Sequence, residues 1–352
     1  MLLRGRVTSY GAHGDLQVIV MVKRGADVAR VKRALTGHGL WVRQLAADDR
    51  VMFLVEGCSK AVPRETLLQI EGVADVAIPA SLHPRVDAQP AVVRVAGVAI
   101  GAGAPPVLMA GPCSVESEAQ IEESAAIVAR AGGVFLRGGA YKPRTSPYSF
   151  QGHGVPALGW MRTAAERHGL RVVTEALRPE DLAVVAEHAH LIQIGSRNMQ
   201  NFALLAAAGK TRRPILLKRA MGATVEEWLQ AAEYCLVHDA PAVVFCERGI
   251  RGFDPSVRNL LDLGAVSLLS HVHRQPVLVD PSHATGRRDL IAPLSRAALA
   301  AGGHGLLLET HPDPGSAQSD GPQALTTEEF LELAASLWSE RSAAVVPTLT
   351  GT

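Results

Sequence analysis

Residues 136–152, with the sequence LRGGAYKPRTSPYSFQG, bring three cationic side chains, Arg137, Lys142 and Arg144, close together in the chain. They follow an apolar segment that ends at Leu136. The prolines stiffen this stretch, and the paired glycines let the backbone approach a ligand closely. Arginine and lysine on a stiff loop bind anionic groups, arginine often through two parallel hydrogen bonds. The stretch predicts a site for an anionic substrate, although a solvated surface loop explains one such stretch equally well.

Further cations follow other apolar, strand-like segments of the chain, namely Arg197, Lys218 and Arg248. Six cations at one place would repel one another unless anions bind between them, so phosphate and carboxylate groups are the expected ligands. Ion pairs to Glu175, Glu247 and the helix ends are the structural alternative. Six cations exceed what those carboxylates need, which favours a strongly anionic, phosphorylated substrate.

A second set combines a thiol, an imidazole and two carboxylates, from Cys113, His283, Glu309 and Asp320. Soft and hard donors together suit Mn, Fe, Co or Zn better than Ca or Mg. Each member alone is commonly structural, because a lone cysteine usually lies in the core and a carboxylate at a strand end usually caps a helix. Their shared position after strands predicts one divalent transition metal ion, with His311 either a ligand or a neighbour that orients one.

Eight short apolar segments alternate with amphipathic segments and must position both sets. The predicted strands lie near 107–110, 134–137, 171–175, 191–195, 215–218, 242–247, 276–280 and 304–309, and the predicted helices at 117–131, 156–168, 179–187, 198–208, 224–237, 256–264, 288–301 and 326–340. Continuous apolar strands between helices are typical of a parallel sheet buried on both faces. The pattern predicts a (β/α)8 TIM barrel over 106–340, whose reactive residues gather at the C-terminal mouth. An open doubly wound sheet is the alternative.

Residues 1–85 show the order βαββαβ of a ferredoxin-like domain. The predicted strands are 16–22, 40–45, 51–55 and 73–78, with helices at 26–36 and 63–70 and a turn at Asp48 and Asp49. A proline-containing irregular stretch is predicted at 80–91. A linker and a small hairpin are predicted over 86–105. The lead-in 1–14 and the tail 341–352 are expected to be irregular.

Composition excludes several classes of function for this chain of 352 residues. A net charge of +1 gives no argument for nucleic acid or a membrane surface. The longest aliphatic runs are far too short to span a bilayer, and the N-terminus lacks the pattern of a signal peptide. Four widely spaced cysteines without a CxxC pair suit a reducing compartment. We therefore expect a cytoplasmic protein that binds neither nucleic acid nor membrane.

Eight motifs in order resemble those of 3-deoxy-D-arabino-heptulosonate 7-phosphate (DAHP) synthase, more narrowly the beta subclass of type I: GPCSVES, LRGGAYKPRTSPYSFQG, TEAL, IQIGSRNMQN, LLKR, CERGIR, DPSHATGRRD and ETHPDPGSAQSDGPQ. The resemblance covers roughly residues 92–340. The N-terminal part is similar to the family's ferredoxin-like regulatory domain in pattern alone. One departure is Ala220-Met221-Gly222, where the family usually has glycine directly after the arginine and methionine two residues later.

The resemblance implies that phosphoenolpyruvate condenses with erythrose 4-phosphate, the first step of the shikimate pathway to aromatic amino acids. It implies the metal ligands Cys113, His283, Glu309 and Asp320. It implies that phosphoenolpyruvate is held by Arg137, Lys142, Arg197, Lys218 and Arg248, and the phosphate of erythrose 4-phosphate by Arg144 and Thr145. Lys142 is then a candidate proton donor to the aldehyde oxygen, and Glu175 would lie near the reacting carbon and its waters.

Other activities stay open from the sequence. The sister enzyme that joins phosphoenolpyruvate to arabinose 5-phosphate typically has an Asn-Arg-Ser type sequence where this chain has residues 142–145. A Schiff-base aldolase with Lys218 as nucleophile would need no metal. A non-catalytic sensor is disfavoured by the two complete sets of side chains.

Regulation is a separate prediction, because a ferredoxin-like domain on a pathway-opening enzyme suggests feedback by an aromatic amino acid, Tyr or Phe. A dimerisation module is the alternative for residues 1–85. A homo-oligomer, either a tetramer or a dimer, is expected.

Overall fold

The computed structural model describes residues 18–47, 50–56, 59, 62–78, 80–143 and 146–343. The chain forms two compact units that divide between Asp87 and Ala88. The predictions for the lead-in 1–14, for the turn at Asp48 and Asp49 and for most of the tail fall outside the described residues.

The N-terminal unit has the predicted βαββαβ order: β1 (Ile19–Val22), α1 (Val28–Gly37), β2 (Val42–Ala47), β3 (Arg50–Val55), α2 (Arg64–Leu68) and β4 (Val73–Ala77). Its strands form one antiparallel sheet in the order β2-β3-β1-β4. Val20 and Phe53 of the sheet share an apolar core with Leu35 of α1. Helix α1 begins after Asp27, whose carboxylate accepts a hydrogen bond from the Arg30 N–H. A short helix, α3 (Pro84–Ala88), lies in the stretch predicted as irregular.

The second unit begins with an antiparallel hairpin, β5 (Val92–Val95) and β6 (Val98–Gly101). Eight parallel strands then close into a barrel: β7 (Val107–Gly111), β8 (Phe135–Arg137), β9 (Arg171–Glu175), β10 (Leu191–Ile194), β11 (Ile215–Lys218), β12 (Val243–Glu247), β13 (Val277–Val279) and β14 (Gly305–Glu309). Val95 and Ile100 of the hairpin belong to the same buried cluster as barrel residues such as Met109. The predicted TIM barrel is confirmed, and closure of the sheet rules out the open doubly wound alternative.

The helices of this unit are α4 (Glu118–Arg130), α5 (Val155–Arg167), α6 (Leu182–His188), α7 (Phe202–Lys210), α8 (Val225–Val237), α9 (Leu263–Ser267), α10 (Pro281–Thr285), α11 (Ile291–Ala300) and α12 (Thr327–Ala343). Single 3₁₀ turns occur at Pro179–Asp181, Ser196–Asn198, Arg288–Leu290 and Gly321–Gln323. Thr224 and Glu227 form a capping box at the start of α8. Across the residues that the structure describes, every helix is too short or too polar to cross a membrane.

The helix predicted at 256–264 is wrong. Ile250 and Leu260 exchange backbone hydrogen bonds at 2.9 and 2.8 Å, and the Asn259 N–H donates to the distant Ala284 carbonyl at 2.8 Å, so this stretch is a paired loop. The helix begins only at Leu263, where Asp262 accepts from the Ala265 N–H, and it continues as a π-helical turn over Leu268–Val272. Helical spacing of apolar residues was present locally, but the long-range pairing took the backbone groups that a helix needs.

Candidate active site

Four side chains bring metal-donor atoms within 4.8 Å of one another at the C-terminal mouth of the barrel: Cys113, His283, Glu309 and Asp320. Cys113 Sγ lies 3.0 Å from Asp320 Oδ2, and His283 Nε2 lies 3.1 Å from Glu309 Oε1. Cys113 and Glu309 are buried, and the other two are partly buried. These residues lie at or beyond the C-terminal ends of β7, β13 and β14, which parallel strands place at one end of the barrel; Glu309 is the last residue of β14, and His283 lies in α10. The mixed thiol, imidazole and carboxylate set fits a divalent transition metal ion.

Asp280 contacts His283 of this cluster and also Lys218. Its Oδ2 lies 2.8 Å from His283 Nδ1, an ion-pair contact without regular hydrogen-bond geometry, and 2.5 Å from Lys218 Nζ. Burial opposes a charge on His283, but the carboxylates of Asp280 and Glu309 outweigh it and raise the imidazole pKa to about 9. Burial likewise opposes the charge of Asp280, yet His283 and Lys218 hold its pKa well below the usual range. A carboxylate behind an imidazole is the common arrangement around protein-bound metals.

Three of the predicted cations are paired with this cluster. The buried Arg137 donates through Nη1 to Glu309 Oε1 at 2.7 Å, and Lys142 donates through Nζ to Cys113 Sγ at 2.9 Å. Lys218 pairs with Asp280, as described above. Burial disfavours the Arg137 charge, but Glu309 more than offsets this and raises the arginine pKa. These three cations therefore do have partners, but the partners are Glu309, Cys113 and Asp280 rather than the Glu175 and Glu247 of the structural alternative.

Arg248 differs from those three cations. It is buried, and burial lowers its pKa. Within the described part of the chain no carboxylate lies within 4 Å of it, and the amide oxygen of Asn259 lies 2.9 Å from Nη1 once that amide is turned to satisfy both groups. The neighbouring Glu247 pairs instead with Arg219, at 3.2 Å. Arg248 is thus a buried cation available to an anionic ligand.

Arg197 is exposed and donates through Nη1 to the carbonyl of Pro143, within the stretch 136–152, at 3.1 Å. Arg144 and Thr145 lie outside the described residues, so their predicted role stays a prediction.

Glu175 faces a small cavity whose walls include Cys113, Arg137 and Lys142. Gln193 Nε2 donates to Glu175 Oε2 at 3.1 Å, while the Gln193 amide oxygen is buried and has no hydrogen-bond partner among the described atoms. A Cβ at Gly195 would lie 2.0 Å from Glu175 Oε1, so only glycine leaves this carboxylate its place. The carboxylate is held in the same cavity as the metal-donor candidate Cys113 and two of the cations.

The family model described as "DAHP synthetase I family" matches residues 79–345 of the chain. The chain belongs to this family. Phospho-2-dehydro-3-deoxyheptonate aldolase of Thermotoga maritima is 44% identical over 327 residues, which cover 90% of this chain and 95% of the relative. A 2-dehydro-3-deoxyphosphooctonate aldolase of Acidithiobacillus ferrooxidans is 33% identical over 256 residues, 66% of this chain and 88% of that one.

Solved structures of the DAHP synthetase I family share this fold. The crystal structure of the Thermotoga maritima DAHP synthase superimposes with a TM-score of 0.72 at 40% identity, covering 94% of this chain and 98% of that one. A truncated form of the enzyme from the same organism superimposes with a TM-score of 0.67 at 45% identity, covering 73% of this chain and 94% of that one.

Sequence reasoning missed several groups that contact the predicted residues in this family member. Asp280 stands three residues before His283, and that spacing was the available signal. Gln193 and Gln323 gave no signal, because their contacts to Glu175 and Glu309 arise from strand alignment and a distant loop.

Proposed function

We propose that the chain catalyses the metal-dependent condensation of phosphoenolpyruvate with erythrose 4-phosphate to DAHP and phosphate, which opens the pathway to aromatic amino acids. The observation that carries the proposal is the convergence of four metal donors, within 4.8 Å of one another, with buried cations. Family membership and the 44% identity to the Thermotoga maritima aldolase support the same reaction.

Anion binding falls to the cations of the mouth. Arg248 is buried and has no carboxylate within 4 Å among the described residues, so it would bind a phosphate or carboxylate oxygen of phosphoenolpyruvate, with Lys218 and Arg197 beside it. Arg137 and Lys142 would complete this site. Arg144 and Thr145 are proposed to hold the phosphate of erythrose 4-phosphate. Arginine suits both anions because its guanidinium makes paired hydrogen bonds with phosphate and carboxylate oxygens.

The reaction joins C3 of phosphoenolpyruvate to the aldehyde carbon, adds water at C2 and breaks the bond from C2 to the phosphate oxygen. Lys142 is proposed to give a proton to the aldehyde oxygen as it becomes a hydroxyl, since its ammonium lies in the same cavity as Glu175. Glu175, held by Gln193, is proposed to orient the water.

A divalent ion held by Cys113, His283, Glu309 and Asp320 would supply Lewis-acid polarisation of the aldehyde or activation of water. The mixed donor set favours Mn, Fe, Co or Zn.

Regulation and assembly are further parts of the proposal. We propose that residues 1–85 are a ferredoxin-like regulatory domain of the type I beta subclass that binds Tyr or Phe, that residues 106–340 form the catalytic barrel, and that the protein is a cytoplasmic homo-oligomer. The sheet order β2-β3-β1-β4 supports the ferredoxin-like assignment. Inhibition of the full chain by Tyr or Phe, lost when residues 1–85 are deleted, would support this role, and inhibition that survives the deletion would contradict it.

The decisive experiment measures phosphate release from phosphoenolpyruvate with erythrose 4-phosphate or arabinose 5-phosphate, each with and without chelator. We expect release with erythrose 4-phosphate, loss with chelator and recovery on adding a divalent metal. Preference for arabinose 5-phosphate would assign the alternative, 3-deoxy-manno-octulosonate 8-phosphate synthase. Activity that survives chelation, together with borohydride trapping of substrate on Lys218, would replace the proposal with a Schiff-base mechanism.

A further inference from the structure

Two loops that carry metal donors are joined through Glu116. The β7 loop, residues 112–117, carries Cys113, and the β14 loop, residues 310–320, carries Asp320. Glu116 Oε1 accepts a hydrogen bond at 2.9 Å from the backbone N–H of Gln318. The neighbouring hydroxyls of Ser114 and Ser319 also touch. The loops are therefore tied one residue from Cys113 on one side and one residue from Asp320 on the other.

His311 lies close to the same carboxylate. Its Nδ1 accepts from the Asp313 N–H at 3.1 Å, so the ring proton is on Nε2, which lies 3.7 Å from Glu116 Oε2. The side chains of His311 and Glu116 are only 7% and 10% exposed, and the distance of 3.7 Å is a close approach and not a hydrogen bond. His311 stands two residues after the metal donor Glu309. The Glu116 carboxylate thus reaches both ends of the β14 loop.

The backbone at Asp320 shows why the β14 loop needs these ties. Asp320 has φ of 53°, in the left-handed region that non-glycine residues seldom adopt. Such a conformation persists where the surrounding structure fixes it in more than one way. The bond from Glu116 to Gln318, two residues earlier, and the Ser114–Ser319 contact supply that fixation.

The backbone of Glu116 reaches a third loop. Its carbonyl accepts from His153 Nε2 at 3.0 Å, directly after the cation-bearing stretch 136–152, and its N–H donates to Gln120 Oε1 at 3.3 Å. His153 in turn packs edge-on against Trp160 of α5, with ring centroids 5.5 Å apart. One residue therefore contacts the loops of two metal donors and the end of the predicted substrate loop.

We propose that Glu116 is a positioning residue whose carboxylate holds the Cys113 and Asp320 loops at the spacing that binds the metal ion. The inference rests on the proposed function only for the presence of that ion. Glu116 is not within the donor cluster and acts through Gln318 and His311. Groups that orient metal ligands commonly change metal affinity about 10–100-fold when they are removed.

The test uses the full chain, stripped with chelator and titrated with Co2+ against a chromophoric chelator, and it also records the visible spectrum of the bound Co2+. Glu116→Ala removes the acceptor of the Gln318 N–H and the carboxylate that lies beside His311. Glu116→Gln keeps an oxygen for the Gln318 N–H but turns an NH2 group toward the His311 Nε2 proton. The matched control is Glu122→Gln. Glu122 lies on α4, away from the metal donors, and pairs with His168 at 2.9 Å and with Arg167 of α5 at 2.7 Å. Thermal unfolding of each stripped protein is measured in parallel.

We expect Glu116→Ala to weaken Co2+ binding about 10–100-fold and to alter the Co2+ spectrum, with Glu116→Gln in between and Glu122→Gln unchanged. Wild-type affinity in both Glu116 variants, or an equal loss in Glu122→Gln, overturns the inference. Should Glu116→Ala not fold, Glu116→Gln decides: weaker binding at the wild-type unfolding midpoint supports the inference, and wild-type binding overturns it. Because no substrate is involved, a protein that binds Co2+ as expected but forms no DAHP refutes only the proposed function.

Discussion

Lys142 Nζ lies 2.9 Å from Cys113 Sγ and 2.8 Å from the Cys113 carbonyl oxygen. Both side chains are buried, and they come from the loops after neighbouring strands β7 and β8. A cation expected at the substrate is therefore in contact with a donor expected at the metal. The two sets of residues that the sequence separates by chemistry form one continuous site.

This contact predicts that Lys142→Gln separates catalysis from metal binding. We expect kcat to fall about 10²–10⁴-fold, because the ammonium is the proposed proton donor. The metal affinity of the variant should equal or exceed that of wild type, because the Lys142 ammonium no longer competes with the metal ion for the lone pairs of Cys113 Sγ. Steady-state kinetics and Co2+ titration check the two parts, with the exposed Lys210→Gln as control. A wild-type kcat in Lys142→Gln would show that Lys142 is not the proton donor.

A second prediction contrasts two buried arginines, Arg248 and Arg219. Arg248 has no carboxylate partner among the described residues, so Arg248→Met should leave the free energy of unfolding unchanged or higher. The same change should weaken phosphoenolpyruvate binding by about 2–5 kcal/mol, which is about 30-fold or more in KM. Chemical denaturation and kinetics measure both quantities.

The matched control for Arg248 is Arg219→Met. Arg219 pairs with Glu247 at 3.2 Å and with Asp262 at 2.8 Å, so its loss leaves a buried carboxylate without its cation. We expect destabilisation of about 3–5 kcal/mol. If Arg248→Met is the more destabilising of the two, Arg248 is a structural residue and its assignment to substrate is wrong.

The barrel could be predicted because each of its strands is a nearly continuous apolar run, such as Val243–Glu247, bounded by polar loops. That signal is local. The loop at 251–262 could not be predicted, because its form depends on pairing between Ile250 and Leu260 and on backbone bonds from Asn259 to Ala284. Apolar spacing alone gave a helix there, and nothing local to the segment indicates the pairing.

The grouping of the four candidate metal donors could be predicted because each lies at or beyond the end of a strand and carries distinctive chemistry. The groups that fix them are harder to find from sequence. Glu116 is an ordinary acidic residue near the start of α4, and only the approach of Gln318, 202 positions later, gives it a role. Gln323 contacts Glu309 for a similar reason, after an intervening loop. Chemistry can be read from residue type, whereas orientation depends on contacts that the tertiary fold creates.

Asp280 gives a third prediction. It is fully buried and contacts Lys218 and His283, so Asp280→Asn leaves the Lys218 charge poorly compensated. We expect the metal-free protein to lose about 3–5 kcal/mol of unfolding free energy and the metal affinity to fall about 10–100-fold. Denaturation in chelator and Co2+ titration test the two effects.

The matched control for Asp280 is Asp289→Asn, since Asp289 pairs with Arg287 on the exposed surface. Its effect on unfolding free energy should stay below about 1 kcal/mol. Equal effects of the two substitutions would show that the buried carboxylate has no special part in holding His283.

The fourth prediction concerns protons released on metal binding. In the metal-free protein burial opposes the His283 charge, but Asp280 and Glu309 raise its pKa from 6.5 to about 9, so the imidazole carries a proton at pH 7.5. A ligating imidazole must be neutral, and metal uptake must therefore expel that proton. The affinity for the metal should therefore rise with pH up to about 9, and above that pH His283 should cause no further rise. Calorimetric titration with Zn2+ in two buffers of different ionisation enthalpy gives the proton count.

Asp280→Asn separates this proton from any that the Cys113 thiol releases. Without the Asp280 carboxylate the pKa of His283 falls, so fewer of the variant's imidazoles are protonated at pH 7.5 and the count should drop. The substitution acts on His283, because Asp280 Oδ2 lies 2.8 Å from its Nδ1. If wild type and Asp280→Asn release equal numbers of protons, the Asp280 carboxylate does not set the charge of His283 and only orients its ring.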